Sequence, residues 1–265
     1  MPRGGIVSHK TVGDASYLPD CGLAPKPTAD DLNCQFTAQS PIRDIDRVVQ
    51  RRALAIFAHP DDAELACFGS LASLATRGYQ AHIVALSDGS NSTSKASQLR
   101  PVEAKEAAEL IKADLTIEHF TDGALTPNAE LHACISAHLK RVEPAILFTH
   151  CPNVDYHQDH EVTGRIVTAA AMRFTAIRLV LQAEPPIFVG SFAPNLYADI
   201  TASIAMKLEA VQRYKSEADK WYMTDESILQ RAAWWARQAE PASPQGPRFF
   251  EAFRVAKALF TDFGS

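Results

Sequence analysis

At 265 residues the chain is long enough for one large α/β domain with a substantial core. Its 46% hydrophobic and 22% charged content is ordinary for a folded protein, and a formal net charge of -5 argues against a nucleic-acid phosphate backbone or an anionic membrane surface as partner. Five scattered cysteines without a C-x-x-C pair, and no apolar run approaching a membrane span, argue against a disulfide scaffold and against membrane insertion, so the expectation is a cytoplasmic protein acting on small molecules, with a homo-oligomeric state left open.

Residues 1–48 are rich in Pro, Asp, Ser and Thr and show little periodicity, which suits an extended N-terminal arm around the domain or a neighbouring subunit, and equally a partly disordered leader. From residue 49 to 265 one domain is expected, with no internal repeat. Short apolar runs alternate there with helical patterns, the signature of βα units and a mostly parallel sheet. Strands are expected at Ala53 to His59, Ala81 to Ser87, Leu115 to Phe120 and Ala145 to His150. Helices are expected at Ala63 to Arg77, Pro101 to Lys112 and Glu130 to Val142, on both faces of a three-layer α/β sandwich. Beyond them come a helix from Asp159 to Phe174, strands at Ile177 to Gln182 and Leu196 to Ile200, and a helix from Ala202 to Ser216. A helix from Glu226 to Gln238, capped by Asp225, and a strand from Phe249 to Ala256 close the chain.

Two polar clusters interrupt this pattern, each after an apolar run and before a helix: His59-Pro60-Asp61-Asp62 and Asp155-Tyr156-His157-Gln158-Asp159-His160. In an open parallel sheet the loops at the carboxyl ends of the strands converge on a crevice, so the two clusters can face each other. His59 and Asp62 can converge on one ion, and His160 can add a third ligand from the opposite turn. Two imidazoles and one carboxylate leave a position open for water, as a catalytic zinc site requires. Asp61, beside a ligand yet with its own carboxylate free, is assigned as general base on that water. His157, as an imidazolium, can stabilise an oxyanion and protonate a leaving amine, oriented by Asp159 or Asp155. His150 is a further candidate, whereas His9, His82, His119, His132 and His138 have no comparable company.

The motifs Ala58-His-Pro-Asp-Asp-Ala-Glu64 and Asp155-x-His-x-Asp-His160 resemble the signatures of the PIG-L/LmbE-like de-N-acetylase family. That resemblance implies a Rossmann-like fold, one Zn2+ per chain, and hydrolysis of an acetamide on an N-acetylated, amino-sugar-like small molecule. It extends over Arg100 with Glu103, Asp122-Gly123, the segment from Asp199 to Ser216, and Glu251-Ala252-Phe253. It makes Arg100 and Asp122 substrate-binding candidates, and Asp155 is counted with them. Tyr214 and Glu217 depart from the family, standing where a histidine and a glutamine are expected. Trp221, Trp234 and Trp235 are read as core packing, or alternatively as walls for an apolar or glycosidic ligand. Competing readings are an amidase for a larger N-acyl or thiol-conjugate substrate and an Fe(II) facial-triad oxygenase.

Overall fold

The structure is a computed structural model that describes residues 51–91, 97–187, 189–240 and 246–260. The expected arm over residues 1–48 lies outside the described residues. Strand β1 (Arg52–Phe57) explains how the layers form. Its residues alternate in direction, Ala53, Ala55 and Phe57 joining one apolar cluster and Leu54 and Ile56 the other, so a continuous apolar run is buried on both faces.

Among the described residues seven strands make one sheet: β1, β2 (Gln80–Ser87), β3 (Asp114–Phe120), β4 (Ile146–His150), β5 (Leu179–Ala183), β6 (Leu196–Asp199) and β7 (Phe250–Ala258). Their order is β3-β2-β1-β4-β5-β7-β6, parallel from β3 to β5 and antiparallel from β5 to β6. Helices α1 (Asp62–Thr76), α2 (Arg100–Glu109), α5 (Ile204–Gln212) and α6 (Asp225–Ala239) cover one face. The other face carries α3 (Ala129–Val142) and α4 (Gln158–Ala171). The α/β architecture with a mostly parallel sheet and helices on both faces is therefore present. After β1 the chain winds outward through β2 and β3, then returns to place β4 on the other side of β1, with Ile56 paired to Thr149. The carboxyl ends of β1 and β4 meet at that reversal, where an open sheet leaves a crevice.

Several boundaries differ from expectation. The helix expected at residues 202–216 ends at Gln212, and a separate 3-10 turn covers Lys215–Glu217. Thr224 rather than Asp225 caps α6: its hydroxyl accepts the Ser227 N–H at 3.3 Å. Asp225 is the first helical residue, where its carboxylate meets the positive helix end and accepts the Gln212 amide at 2.8 Å.

One close approach sets the distance between α4 and β4. A Cβ at Gly164 would stand 2.6 Å from the His150 carbonyl oxygen and 3.1 Å from Pro152 Cδ. Alanine normally stabilises a helix interior over glycine by about 1 kcal/mol. Gly164→Ala is expected to do the reverse, lowering the unfolding free energy by about 1–3 kcal/mol because α4 must back away from β4. Denaturant titration of the full chain measures the sign.

Candidate active site

The chain leaves β1 at His59 and Pro60 and enters α1 through Asp61, whose φ of 99° is a left-handed conformation uncommon outside glycine. Asp62 then turns back, its Oδ2 accepting the His59 N–H at 2.8 Å. From the other side α4 starts at Gln158, with His157 at its cap and His160 on its first turn. The two turns meet as the sequence suggests. His59 Nδ1 lies 3.1 Å from His160 Nε2 and 3.3 Å from Asp62 Oδ2, and His160 Nε2 lies 3.4 Å from Asp62 Oδ1. All three residues are buried.

What surrounds the imidazoles decides which nitrogens are free. His59 Nε2 faces Asp122 Oδ1 at 3.0 Å and Asp159 Oδ2 at 3.3 Å, and His160 Nδ1 faces Asp155 Oδ2 at 2.7 Å. Each ring therefore donates one N–H to a carboxylate and turns its other nitrogen toward Asp62. Two imidazole lone pairs and a carboxylate aimed at one another form a donor set for a small cation. Asp159 is held in turn by the N–H groups of Gly123 at 2.7 Å and Leu125 at 3.0 Å, and Asp122 accepts the Asn91 N–H at 2.7 Å.

The titration behaviour follows the same layout. Burial works against the charged form of His59, yet hydrogen bonds to Asp122, Asp159 and Asp62 hold it well above the usual imidazole range. Burial likewise opposes ionisation of Asp62, Asp122, Asp155 and Asp159. The neighbouring histidines nonetheless keep all four below the ordinary carboxylate range. The corner is rich in ionised carboxylates and attracts positive charge.

Several expectations need correction. The carboxylate of Asp61 is not free, because Arg100 NH2 binds its Oδ1 at 2.8 Å. Burial raises Asp61 to about 6 against the pull of Arg100, with Asp62 adding to the rise. Neither the Asp155 nor the Asp159 carboxylate holds the His157 ring: that of Asp155 serves His160 and that of Asp159 serves His59. The ring of His157 instead accepts the Asp159 N–H through Nδ1 at 3.3 Å, which places its proton on Nε2. Burial, followed by the charges of His160 and His59, pushes His157 below the usual imidazole range. It lies against both partners, with ring centroids 4.8 Å from His59 and 4.6 Å from His160.

Arg100 borders the cleft but directs its donors inward, to Asp61, to the Pro60 carbonyl and to the Gly89 carbonyl at 3.0 Å. A Cβ at Gly89 would stand 2.4 Å from Arg100 NH1, so a side chain there would displace the guanidinium. His150 lies beneath the site. Its Nε2 accepts the Ala58 N–H at 3.1 Å, its ring stacks on His160 at 4.0 Å, and burial with the charge of His160 lowers it to about 4. Glu64, buried and raised by burial to about 7, was not singled out from the sequence, nor were the cleft residues Asn91, Lys220 and Tyr222. Glu64 closes the first motif without a role assigned to it, whereas no local motif marks Asn91, Lys220 or Tyr222, each of which reaches the site through long-range packing. Trp221 and Trp234 are exposed, contrary to a core role, whereas Trp235 donates to Glu184 at 2.8 Å. A separate grouping of Glu118, Cys134 and His138 lies on β3 and α3 outside the cleft lining, with His138 bonded to Glu118 at 2.7 Å.

Above the donor set opens a cleft of about 230 Å³ whose rim includes Asn91, Gly123, Tyr156, Ile187 and Lys220. Among known proteins, residues 54–171 match the family described as PIG-L, GlcNAc-PI de-N-acetylase. The chain is 30% identical over 172 residues to the uncharacterized deacetylase YaiS of Escherichia coli, covering 62% of this chain and 90% of that one. With the diacetylchitobiose deacetylase of Thermococcus kodakarensis it shares 24% identity over 247 residues, 85% of this chain and 88% of the relative. The crystal structure of GalB, the 4-carboxy-2-hydroxymuconate hydratase of Pseudomonas putida, superposes with a TM-score of 0.69 at 21% identity, covering 81% of this chain and 100% of that one.

Because Asp155 and Asp122 fix which imidazole nitrogen faces inward, Asp155→Asn and Asp122→Asn are each expected to weaken divalent-metal binding by about 10–100-fold. Competition against a chromogenic chelator measures this; affinities within twofold of the parent would contradict the orienting role.

Proposed function

The chain belongs to the PIG-L family of GlcNAc-PI de-N-acetylases, and on that premise we propose that it is a zinc-dependent hydrolase on a Rossmann-like sheet, removing an N-acetyl group from an amino-sugar-like small molecule. The observation that carries the reading is the convergence of His59 Nδ1, Asp62 and His160 Nε2 at 3.1 to 3.4 Å, with Asp61 beside them under an open cleft. Bonds of ~2.0–2.1 Å to a tetrahedral zinc put neighbouring ligand atoms roughly 3.3 Å apart, so the donor set fits that ion. His59, Asp62 and His160 would hold it, and when bound it supplies Lewis-acid polarisation of the amide carbonyl and a more acidic water.

The remaining steps fall to side chains of this protein. Asp61 takes the proton of the attacking water, its carboxylate held by Arg100 through Oδ1. His157 presents its Nε2 proton to the cleft as a hydrogen bond to the carbonyl oxygen as it gains charge, and the proton that Asp61 took from the water passes to the departing amine as the C–N bond breaks. Asp159 couples the two halves, receiving the His59 ring and donating its own N–H to His157. Exposed Tyr156 and the polar groups of Asn91 and Gly123 offer a face for a glycosidic ring and its hydroxyls.

Likeness to a muconate hydratase supports a second reading, addition of water to an unsaturated acid. The charge around the cleft disfavours it. Asp61, Asp62, Asp122 and Asp155 border the space, while Arg100 is committed to Asp61 and Lys220 pairs with Glu217. A polycarboxylate would meet four carboxylates and no uncommitted arginine or lysine among the described lining residues.

Acetate release from zinc-loaded protein against a panel of N-acetylated amino sugars tests the proposal, and silence across the panel together with hydration of a dienoate would replace it. Elemental analysis and oxygen consumption separate it from iron oxygenase chemistry. His59→Ala and His160→Ala are expected to lose the metal. Asp61→Asn is expected to keep it while turnover falls about 10²–10⁴-fold, and normal turnover in that variant would remove Asp61 from the role of base.

A further inference from the structure

A second group of metal-competent side chains stands away from the cleft, where strand β3 meets α3. Cys134 and His138 are four positions apart on α3, so both project from one face of the helix, about one turn apart. Glu118 comes to them from β3, on the side of the strand that also sends Phe120 against the apolar cluster beneath α3. The Cys134 sulfur, a ring nitrogen of His138 and a carboxylate oxygen of Glu118 all lie within 4.8 Å of one another, and His138 Nε2 stands 2.7 Å from Glu118 Oε1. His138 is buried while Cys134 and Glu118 are half-buried, so the group is open to ions from solvent without lining the cleft.

A histidine beside a glutamate is by itself an ordinary ion pair. The thiol one turn away changes what the group can hold, because sulfur, imidazole and carboxylate are the three ligand types zinc accepts, whereas calcium and magnesium favour oxygen alone. Ligand atoms around a tetrahedral zinc stand roughly 3.3–3.6 Å apart, so side-chain rotations are enough to seat an ion among the three. Two protons have to move. His138 Nδ1 faces Arg141 NH2 at 3.3 Å, which places the ring proton on Nε2, toward Glu118. Binding through Nε2 shifts that proton to Nδ1, and the half-exposed Arg141, already 3.2 Å from Asp114, turns wholly to that carboxylate. Burial, then the charge of Glu118, raises the Cys134 thiol to about 11, so its proton passes to solvent only as a cation takes its place. The negative charge of Glu118 and of Glu130, which opposes a bare thiolate, draws that cation in.

We propose that Glu118, Cys134 and His138 form a second metal site, separate from the donor set of the cleft, for zinc or a divalent ion of similar softness, with water completing its shell. The ion clips β3, the outermost strand of the sheet among the described residues, to the helix that covers it. The chain runs on from β3 to Asp122, the carboxylate behind His59, so the clip braces the strand that delivers Asp122 to the active site. The site stands independently of the de-N-acetylase reading, since none of its three ligands takes part in that reaction.

Titration of the full chain with Co2+ tests the site without any need for turnover. A thiolate bound to cobalt gives a charge-transfer band in the near ultraviolet, and the donor set of His59, Asp62 and His160 contains no sulfur, so the band reports the second site alone. The parent should bind two ions per chain and show the band, and added zinc should erase it. Cys134→Ser, a nearly isosteric change, should bind one ion and show no band. In His59→Ala the cleft ion should be lost while the band remains. His138→Gln should raise the cobalt concentration needed for half the band by about tenfold or more. A parent without the band at saturating cobalt, a band that survives Cys134→Ser, or one that vanishes in His59→Ala would overturn the site.

Discussion

Four carboxylates held below their ordinary range, together with two imidazole nitrogens turned toward each other, are crowded into one buried corner where positive charge is scarce. Like charges and lone pairs so placed repel strongly in a medium less polar than water. Without a metal, protons fill the gap, which is why His59 stays protonated far above its usual range despite its burial. A divalent cation does the same more completely. The proposed cation would tie the strand order, the two turns and the carboxylates behind the histidines into one arrangement.

The backbone accepts local cost to make the corner. Asp61 sits at a φ of 99°, a region that costs of order 1–3 kcal/mol for a residue with a side chain. In return adjacent carboxylates part company, Asp62 turning to the histidines and Asp61 to Arg100. Gly164 has the opposite use. With no Cβ it lets α4 press against the His150 carbonyl, bringing His160 across to His59. Both devices act at the sheet reversal between β1 and β4.

Much of this was legible because it is local. Apolar runs ending in His59 and in His150 marked strands, and the polar clusters after them marked the converging turns. Partners brought together over long separations were not legible. Arg100 reaches Asp61 across 39 positions, Asp122 reaches His59 across 63, and no periodicity encodes either meeting. Nor can sequence tell which carboxylate stands behind which histidine: Asp155 and Asp159 flank His157 in the chain yet serve His160 and His59. At the cap of α6 the competition was between neighbours, and Thr224 prevailed over Asp225 because its hydroxyl reaches the Ser227 N–H. Trp234 and Trp235 divide by the face of α6 each occupies, Trp234 exposed and Trp235 bonded to Glu184, while Trp221 is exposed on the 3-10 turn before that helix.

Arg100 shows how a departure from family pattern alters chemistry at one remove. Glu217 occupies the place where a glutamine is expected, is fully buried, and stands 3.8 Å from Arg100 Nε while its other oxygen pairs with Lys220. Charges therefore alternate along Asp61, Arg100, Glu217 and Lys220, from the proposed base out to the cleft rim. A glutamine at 217 would leave the guanidinium facing Asp61 alone and strengthen its hold on that proton acceptor, making Asp61 a weaker base. With Glu217 present the arginine is shared between two carboxylates, so Asp61 keeps more of its basicity. The same carboxylate anchors Lys220 at the rim, which makes this one replacement a link between the strength of the base and the charge the substrate meets on entry.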